Sequence, residues 1–542
     1  MNDAERTGAH DGHTRTHFIL IPGAFTGGWV WEETAERLRA AGAGAYAMTL
    51  VGPEGARGGG GAPDLEAHIG EVVQAIDAVE DATRDIVLVG HGYGLHPALG
   101  ATDRRPGRVA RLVALDTAPP QNGHPAWATV PDQVVREELA ARAGADAAGG
   151  AGVAGGAGAA TTGGAIGGEP LPPPDSAAAW RRWGSTDGIP GTSLERLIRD
   201  AVPQPLHTLR QPLHLTGAAT DVPTTGVLCT ANGASIDLVQ MRVSLGDPAF
   251  QPLAAPGVRF LELPTGHWPM LSCPDGLADV LLNAAAGEGR RLTPAGSQPP
   301  HLRPFLLDVP EVPHERNETI DLYLPGGDGP HPAVIVVHGG PIPEGIRPTP
   351  REWPTLTGYA RLAAAHGAIG VTFDHRLYDI DGYPRAAEDV AAAVARVRAD
   401  PWVDGDRIAL WFFSGGGLLA ADWLSAPPPW LRCIAASYPI LAPLPNWGLG
   451  GDRFRPVAAL RGAGDLPLVV VRAGRELPEL AATVTEFLTA AEAHGTTLEV
   501  IDVPDGHHGF ETADHHSDAD LAALRTAVRS ALRTVLGHLT PP

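Results

Sequence analysis

Short apolar runs bounded by glycine and proline recur along the chain, separated by stretches in which apolar residues return every three or four positions. "HFILIPG" (17–23) reads as a buried strand, followed by a helical stretch over 31–41 and a second short strand around 45–51. A helix over about 65–80 leads to the strand "DIVLVG", the glycine-spaced turn "HGYG", a further helix and the strand "VARLVALD", which ends at Asp116. Strands resume at "TTGVLCT" (224–230) and "VRFLELP" (258–264), and a helix over about 275–286 closes this part. Strand and helix alternating at this spacing predict an α/β fold with a doubly wound, mostly parallel sheet, binding ligands at the carboxyl ends of its strands.

The plan then repeats. A Gly- and Pro-rich stretch, "GEGRRLTPAGSQPPHLRP" (287–304), precedes the strands "TIDLYLP" and "AVIVVHGG", a helix over 355–366, the strand "AIGVTFD", a helix over 384–399 and "RIALWFFSGGG". The pattern predicts two tandem α/β units, 16–287 and 305–540, joined by a linker over 288–304. Between about 120 and 210 the periodicity changes, as expected of a lid whose helical pieces are "DSAAAWRRW" and "LERLIRDAV". Residues 143–168 are low-complexity Gly and Ala with almost nothing to bury, and are expected to be a disordered insertion.

Composition narrows the function classes. A chain of 542 residues with 44% hydrophobic content can bury two large cores, yet contains no apolar run near the ~20 residues of a membrane span. The polar stretch "MNDAERTGAHDGHTRTHF" has no apolar segment of a secretion signal, so a cytoplasmic location is expected. Net charge is −22 and all 40 basic residues are arginine, which excludes lysine Schiff-base chemistry and leaves no basic stripe for nucleic acid. Cys229, Cys273 and Cys433 are far apart, so neither a zinc site nor a disulfide framework is expected. No metal or cofactor is implied, no membrane or nucleic-acid partner is expected, and homo-oligomerisation is left open.

In the second unit, "RIALWFFSGGG" places Ser414 after a buried strand and before three glycines, the setting a serine nucleophile requires. "VIVVHGGP" ends a strand in Gly339 and Gly340, whose N–H groups, with that of Gly415, can hold a tetrahedral oxyanion. "LPLVVVRAG" runs into Glu476, and "VPDGHHGF" supplies His507 and His508, completing the order serine, acid, histidine. Over about 305–540 this unit resembles the dienelactone-hydrolase and HGG-type esterase side of the α/β-hydrolase superfamily. The resemblance implies Ser414 as nucleophile, Glu476 as acid and His508 as base, because the family's histidine directly precedes Gly-Phe. One departure is Phe412, two residues before the serine, where the family prefers a small residue; a ring there relaxes the elbow or fills the site. "DHRLYD" (374–379) is similar to a strand end of the same esterases and is read as structural. Of Trp411, Phe412, Phe413, Trp423, Trp430 and Trp447, most are expected in the core and some along an apolar pocket.

The first unit poses the opposite case. "VGHGYG" has the spacing of a nucleophile elbow, but Gly92 stands at its centre. With "LIPGAFTGGWVW", "PQPLHTLRQPL" and "LPTGHWPMLSCPDGLA", the region of about 16–287 resembles the methylesterase and hydroxynitrile-lyase branch of the same superfamily. That resemblance implies His267 as the catalytic histidine and the N–H groups of Ala24 and Tyr93 as the oxyanion hole. It also implies loss of the nucleophile at Gly92 and of the acid, whose place falls to Asn232 or its neighbours. Asp237 and Asp116 remain as carboxylates that could orient His267, and His91 is expected to be a packing residue.

The expected function is therefore a serine hydrolase. It would cleave a small-molecule carboxylic ester, lactone or thioester through an acyl-enzyme on Ser414, with the first unit as a non-hydrolytic partner. The alternatives are a nucleophile-free lyase or isomerase using His267 as base, acyl transfer or cyclisation at Ser414, and a non-catalytic binding scaffold.

Overall fold

The computed structural model describes residues 16–52, 62–80, 85–149, 170–296, 299–512 and 518–540. They divide into two compact units, Met1–Gln240 with Pro252–Pro294 and Pro445–Gly448, and Met241–Gln251 with Ala295–Leu444 and Leu449–Pro542.

The first unit is built on six strands: β1 (Thr16–Ile21), β2 (Gly44–Ala47), β3 (Asp85–His91), β4 (Val109–Leu115), β5 (Thr224–Cys229) and β6 (Val258–Leu263). Their order in the sheet is β2-β1-β3-β4-β5-β6 and every pairing is parallel. A sheet covered on both faces needs strands that are apolar throughout, which is why β1 and β3 read as continuous hydrophobic runs. The two-residue period divides those runs between two cores. Ile19, Ile21, Ile86 and Leu88 pack on one face with Ile69 and Val72 of the helix Leu65–Asp77. Phe18, Leu20, Val87 and Val89 pack on the other with Leu277 and Leu281 of the helix Pro274–Ala285. Asp64 starts the helix Leu65–Asp77 by accepting a hydrogen bond from the Ala67 N–H at 2.9 Å.

The second unit contains β7 (His314–Asn317), β8 (Ile320–Tyr323), β9 (His331–Val337), β10 (Ile369–Phe373), β11 (Val403–Phe413), β12 (Leu431–Ser437), β13 (Leu468–Ala473) and β14 (Leu498–Val503). Their order is β14-β13-β12-β11-β9-β10-β8-β7. Pairings from β14 through to β10 are parallel, whereas β8 runs antiparallel to both β10 and β7, so this sheet is mixed. Trp411 and Phe413 of β11 enter one core with Tyr359, Val471 and the helix Asp518–Leu539. Phe412 alternates to the opposite face and is fully buried there.

Several expectations change at this level. The second strand stops at Ala47 rather than continuing to 51. β7 had no apolar signal, because all four of its residues are exposed. The helical pieces expected there are the helices Ala177–Arg181 and Gly191–Asp200, anchored by the buried Trp180 and Leu197. The start of the expected disordered insertion instead continues the helix Gln133–Gly149, consistent with its alanine content, while 150–168 lie outside the described residues.

Candidate active site

β11 delivers Ser414 at its carboxyl end with φ +51°, a left-handed conformation uncommon for a non-glycine residue and fitting a sharp strand-to-helix turn. The following residue must be glycine here, since a Cβ on Gly415 would lie 2.0 Å from the Gly340 carbonyl oxygen. The elbow is fastened by Ile440 N–H, which donates to the Ser414 carbonyl at 3.0 Å. Phe412 neither relaxes this turn nor fills the site, because its ring is buried in the core while Ser414 keeps the positive φ.

Ser414 Oγ lies 2.7 Å from His508 Nε2, and His508 Nδ1 lies 2.7 Å from Glu476 Oε2. A carboxylate only accepts, so Nδ1–H is the donor and the Nε2 lone pair faces the serine hydroxyl. Glu476 Oε1 accepts from the Leu477 N–H at 2.8 Å, which fixes the carboxylate plane. The acid and histidine loops are joined by Arg475 N–H to the Gly506 carbonyl at 2.8 Å, and by the Arg475–Asp505 ion pair. His507 turns aside, its Nδ1–H donating to the His508 carbonyl at 2.8 Å. The Glu476 side chain is 5% exposed and that of His508 16%, so the carboxylate is shielded while the imidazole stays reachable.

Gly339 and Gly340 lie against this elbow: a Cβ on Gly339 would come within 2.8 Å of Ser414 Cβ. Tyr383 braces the other side, its hydroxyl donating to the Gly415 carbonyl at 2.9 Å. The turn is held from behind by two stacked imidazoles, His338 and His375, with ring centroids 3.5 Å apart. His338 Nδ1–H donates to the Gly339 carbonyl at 2.6 Å, and His375 Nε2–H to the His338 carbonyl at 3.0 Å. Burial pushes His338 down to about 4 and His375 well below its ordinary value, so both stay neutral and act as struts. The motif "DHRLYD" is thus structural through His375, and through the Asp374–Arg351 ion pair at 3.2 Å.

Behind His508 lies a feature that the sequence reading passed over. Tyr438 packs edge-on against the His508 ring at 4.9 Å, and Glu511 is fully buried nearby, accepting from the Tyr359 hydroxyl at 3.0 Å. Burial pushes the Glu511 carboxyl up to about 7. The "GFET" that follows His508 was the only available signal. Among the aromatic residues, Trp411 and Phe413 are core, whereas Trp423 and Trp430 meet edge-on at 5.7 Å, with Arg398 over the Trp430 ring.

In the first unit, Gly92 follows β3 with φ +53°. His267 Nδ1–H donates to Asp116 Oδ2 at 2.8 Å, which places the Asp116 carboxylate, at the end of β4, beside the imidazole. Of the two carboxylates left open as partners of His267, Asp116 and Asp237, the fold brings Asp116 to the histidine. Asn232 does not orient His267; its side-chain N–H donates to the same Asp116 Oδ2 at 2.7 Å, and its oxygen accepts from the Ser185 N–H at 2.8 Å. Asp116 Oδ1 accepts from the Cys229 N–H at 2.8 Å, which completes its environment. Asp237 is half-exposed and pairs with Arg290 at 2.6 Å.

His267 Nε2 has no hydrogen-bond partner among the described residues, and a Cβ on Gly92 would stand 3.9 Å from it. His91 is buried and donates to the His267 carbonyl at 2.8 Å, a packing role. The Ala24 N–H likewise has no acceptor among the described residues, and the Tyr93 N–H opens a helical turn, where backbone donors lack partners. The Tyr93 hydroxyl is committed to His68 Nδ1 at 2.7 Å.

The model of the "Alpha/beta hydrolase family" matches residues 18–280. The chain is 30% identical over 268 residues to a carbendazim hydrolyzing esterase of Nocardioides sp. (strain SG-4G), covering 49% of this chain and 98% of that protein. Solved structures similar to it include a butyrate-bound thermophilic esterase of the Planctomycetes species Thermogutta terrifontis, at 19% identity and TM-score 0.32 over 41% of this chain and 91% of that one. Another is an acylaminoacyl peptidase of Pyrococcus horikoshii, at 14% identity and TM-score 0.36 over 44% and 43%. Among the described residues no helix is long and apolar enough to cross a membrane. With strand-end elbows, a mixed and a parallel sheet, and a relative matched over nearly its whole length, the chain belongs to the alpha/beta hydrolase family as a carboxylic ester hydrolase-like enzyme.

Proposed function

We propose that the chain fuses two α/β-hydrolase units and that the second, with a linker over 288–304 before it, cleaves a small carboxylic ester, lactone or thioester through an acyl-enzyme on Ser414. The observation that carries this reading is the unbroken chain Ser414–His508–Glu476, with both contacts at 2.7 Å, on an elbow of positive φ. His508 takes the Ser414 proton as Oγ bonds to the carbonyl carbon, then delivers it to the departing alcohol or thiol. Water repeats the cycle on the acyl-enzyme. The N–H groups of Gly339, Gly340 and Gly415 face the charge that develops on the carbonyl oxygen, where one such donor is worth about 10²–10³ in rate. In the first unit Gly92 stands at the nucleophile position, so that unit forms no acyl-enzyme.

The test is covalent labelling with a fluorophosphonate, followed by peptide mass spectrometry. A single adduct on Ser414, absent from Ser414→Ala, supports the reading. Folded protein that takes up no probe overturns it. Carbendazim, named for the Nocardioides relative, joins small esters among the first substrates to assay.

A further inference from the structure

We propose that the first unit has a second, nucleophile-free active site in which His267, held by Asp116, activates a water molecule for direct attack on a small activated carboxylic ester.

Three observations support the proposal. First, the base is complete. Nδ1–H is committed to Asp116 at 2.8 Å, so the Nε2 lone pair is the free one, and it has no partner among the described residues. Second, the surroundings hold that arrangement. Asp116 has φ +45°, a left-handed conformation uncommon for a non-glycine residue, and both of its oxygens are satisfied by Cys229 N–H, Asn232 and His267. Gly184 lies so close that a Cβ on it would come within 2.5 Å of the His267 ring, and His267 N–H donates to the Ser185 carbonyl at 2.8 Å. Third, there is room at the reacting position. A Cβ on Gly92 would meet only Gly23 Cα at 3.8 Å and His267 Nε2 at 3.9 Å, ordinary contacts, so a side-chain carbon fits beside the base without a clash. That space suits one water molecule.

In the step, the water oxygen bonds to the ester carbonyl carbon while Nε2 takes one of its protons. The carbonyl π pair moves to its oxygen, facing the N–H groups of Ala24 and Tyr93. Collapse restores the C=O bond and breaks the bond to the alkoxy group, which leaves with the proton from Nε2. The products are a carboxylic acid and an alcohol, and no bond to the protein forms. Trp183, edge-on to Phe25 at 4.8 Å and adjacent to Gly184, offers an apolar wall for the substrate.

The experiment uses the full chain carrying Ser414→Ala, so its failure is separate from failure of the Ser414 reading, which wild-type labelling decides. The probe is p-nitrophenyl acetate. The expected result is steady turnover without a burst, insensitive to fluorophosphonate, and reduced about 10²-fold by adding His267→Gln. Adding Asp116→Asn should lower the rate and displace its pH profile, which loss of packing alone would not do. Equal rates with and without His267, on protein folded by circular dichroism, would overturn the proposal, as would acetylation of His267 itself. Gly92→Ser in the same Ser414→Ala chain gives a second reading: a fluorophosphonate adduct at position 92 is expected, and folded protein without one overturns the claim that the dyad is an active base.

Discussion

Asn232 donates its amide to Asp116 at 2.7 Å across 116 residues of chain, and so holds in place the carboxylate that meets His267. The residue that looked like a lost carboxylate is a brace, linking Asp116 to the Ser185 N–H. Its chemistry sets a sharp expectation for the change that a family pattern would suggest.

Asn232→Asp should destabilise the first unit. A second carboxylate would face Asp116 at hydrogen-bond distance, and two such groups cannot both ionise without one pKa rising strongly. A raised carboxyl contributes stability that is lost as pH rises through its folded value, so the loss should be larger at pH 8 than at pH 5. Thermal unfolding of the variant and wild type at both pH values checks this; equal losses would contradict it.

Gly184→Ala should cost about 1–3 kcal/mol through overpacking, because the added carbon would sit 2.5 Å from the His267 ring. Urea denaturation measures the loss directly. A neutral result would mean that the 184–187 segment can move off the histidine.

Much of this architecture was legible in the sequence, for reasons that particular residues make clear. The apolar runs of β1, β3 and β11 are long because both faces of each sheet are covered, and Ser414, Glu476 and His508 each lie where a strand breaks into a loop. What escaped depended on side-chain partners distant in the chain. Nothing local distinguishes Asp116 from Asp237 as the partner of His267; only the fold puts one at 2.8 Å and pairs the other with Arg290. The His338–His375 stack joins residues 37 apart through their imidazoles, and the exposed strand β7 carries no apolar signal at all.

Glu476→Gln should lower kcat by about 10²–10⁴ with little change in KM. The variant amide can present N–H to His508 and so disfavours the tautomer that leaves Nε2 free to take the Ser414 proton. Steady-state kinetics on a small ester separates the two parameters, and a change confined to KM would contradict the orienting role.

Glu511 is expected to contribute stability to the second unit that is present in acid and lost toward neutral pH. Burial raises its carboxyl from the ordinary 4.5 to about 7, so between those values the native state binds more protons than the unfolded one and stability falls as pH rises. The fall sets in above the ordinary carboxyl range and runs through about pH 7. Glu511→Gln should flatten the stability profile between pH 4.5 and 7.5 while Tyr359 keeps a partner. Denaturant titrations across that range test the sign.

The two elbows of this chain have almost the same backbone angle, φ +53° at Gly92 and φ +51° at Ser414. A serine held there stores about 1–3 kcal/mol of local strain, and a glycine stores almost none. Reactivity at Ser414 is therefore set against fold robustness, and Ser414→Gly should yield a chain that melts higher and forms no acyl-enzyme. At Gly92 the same angle carries almost no such strain, and a Cβ there would stand 3.9 Å from His267 Nε2.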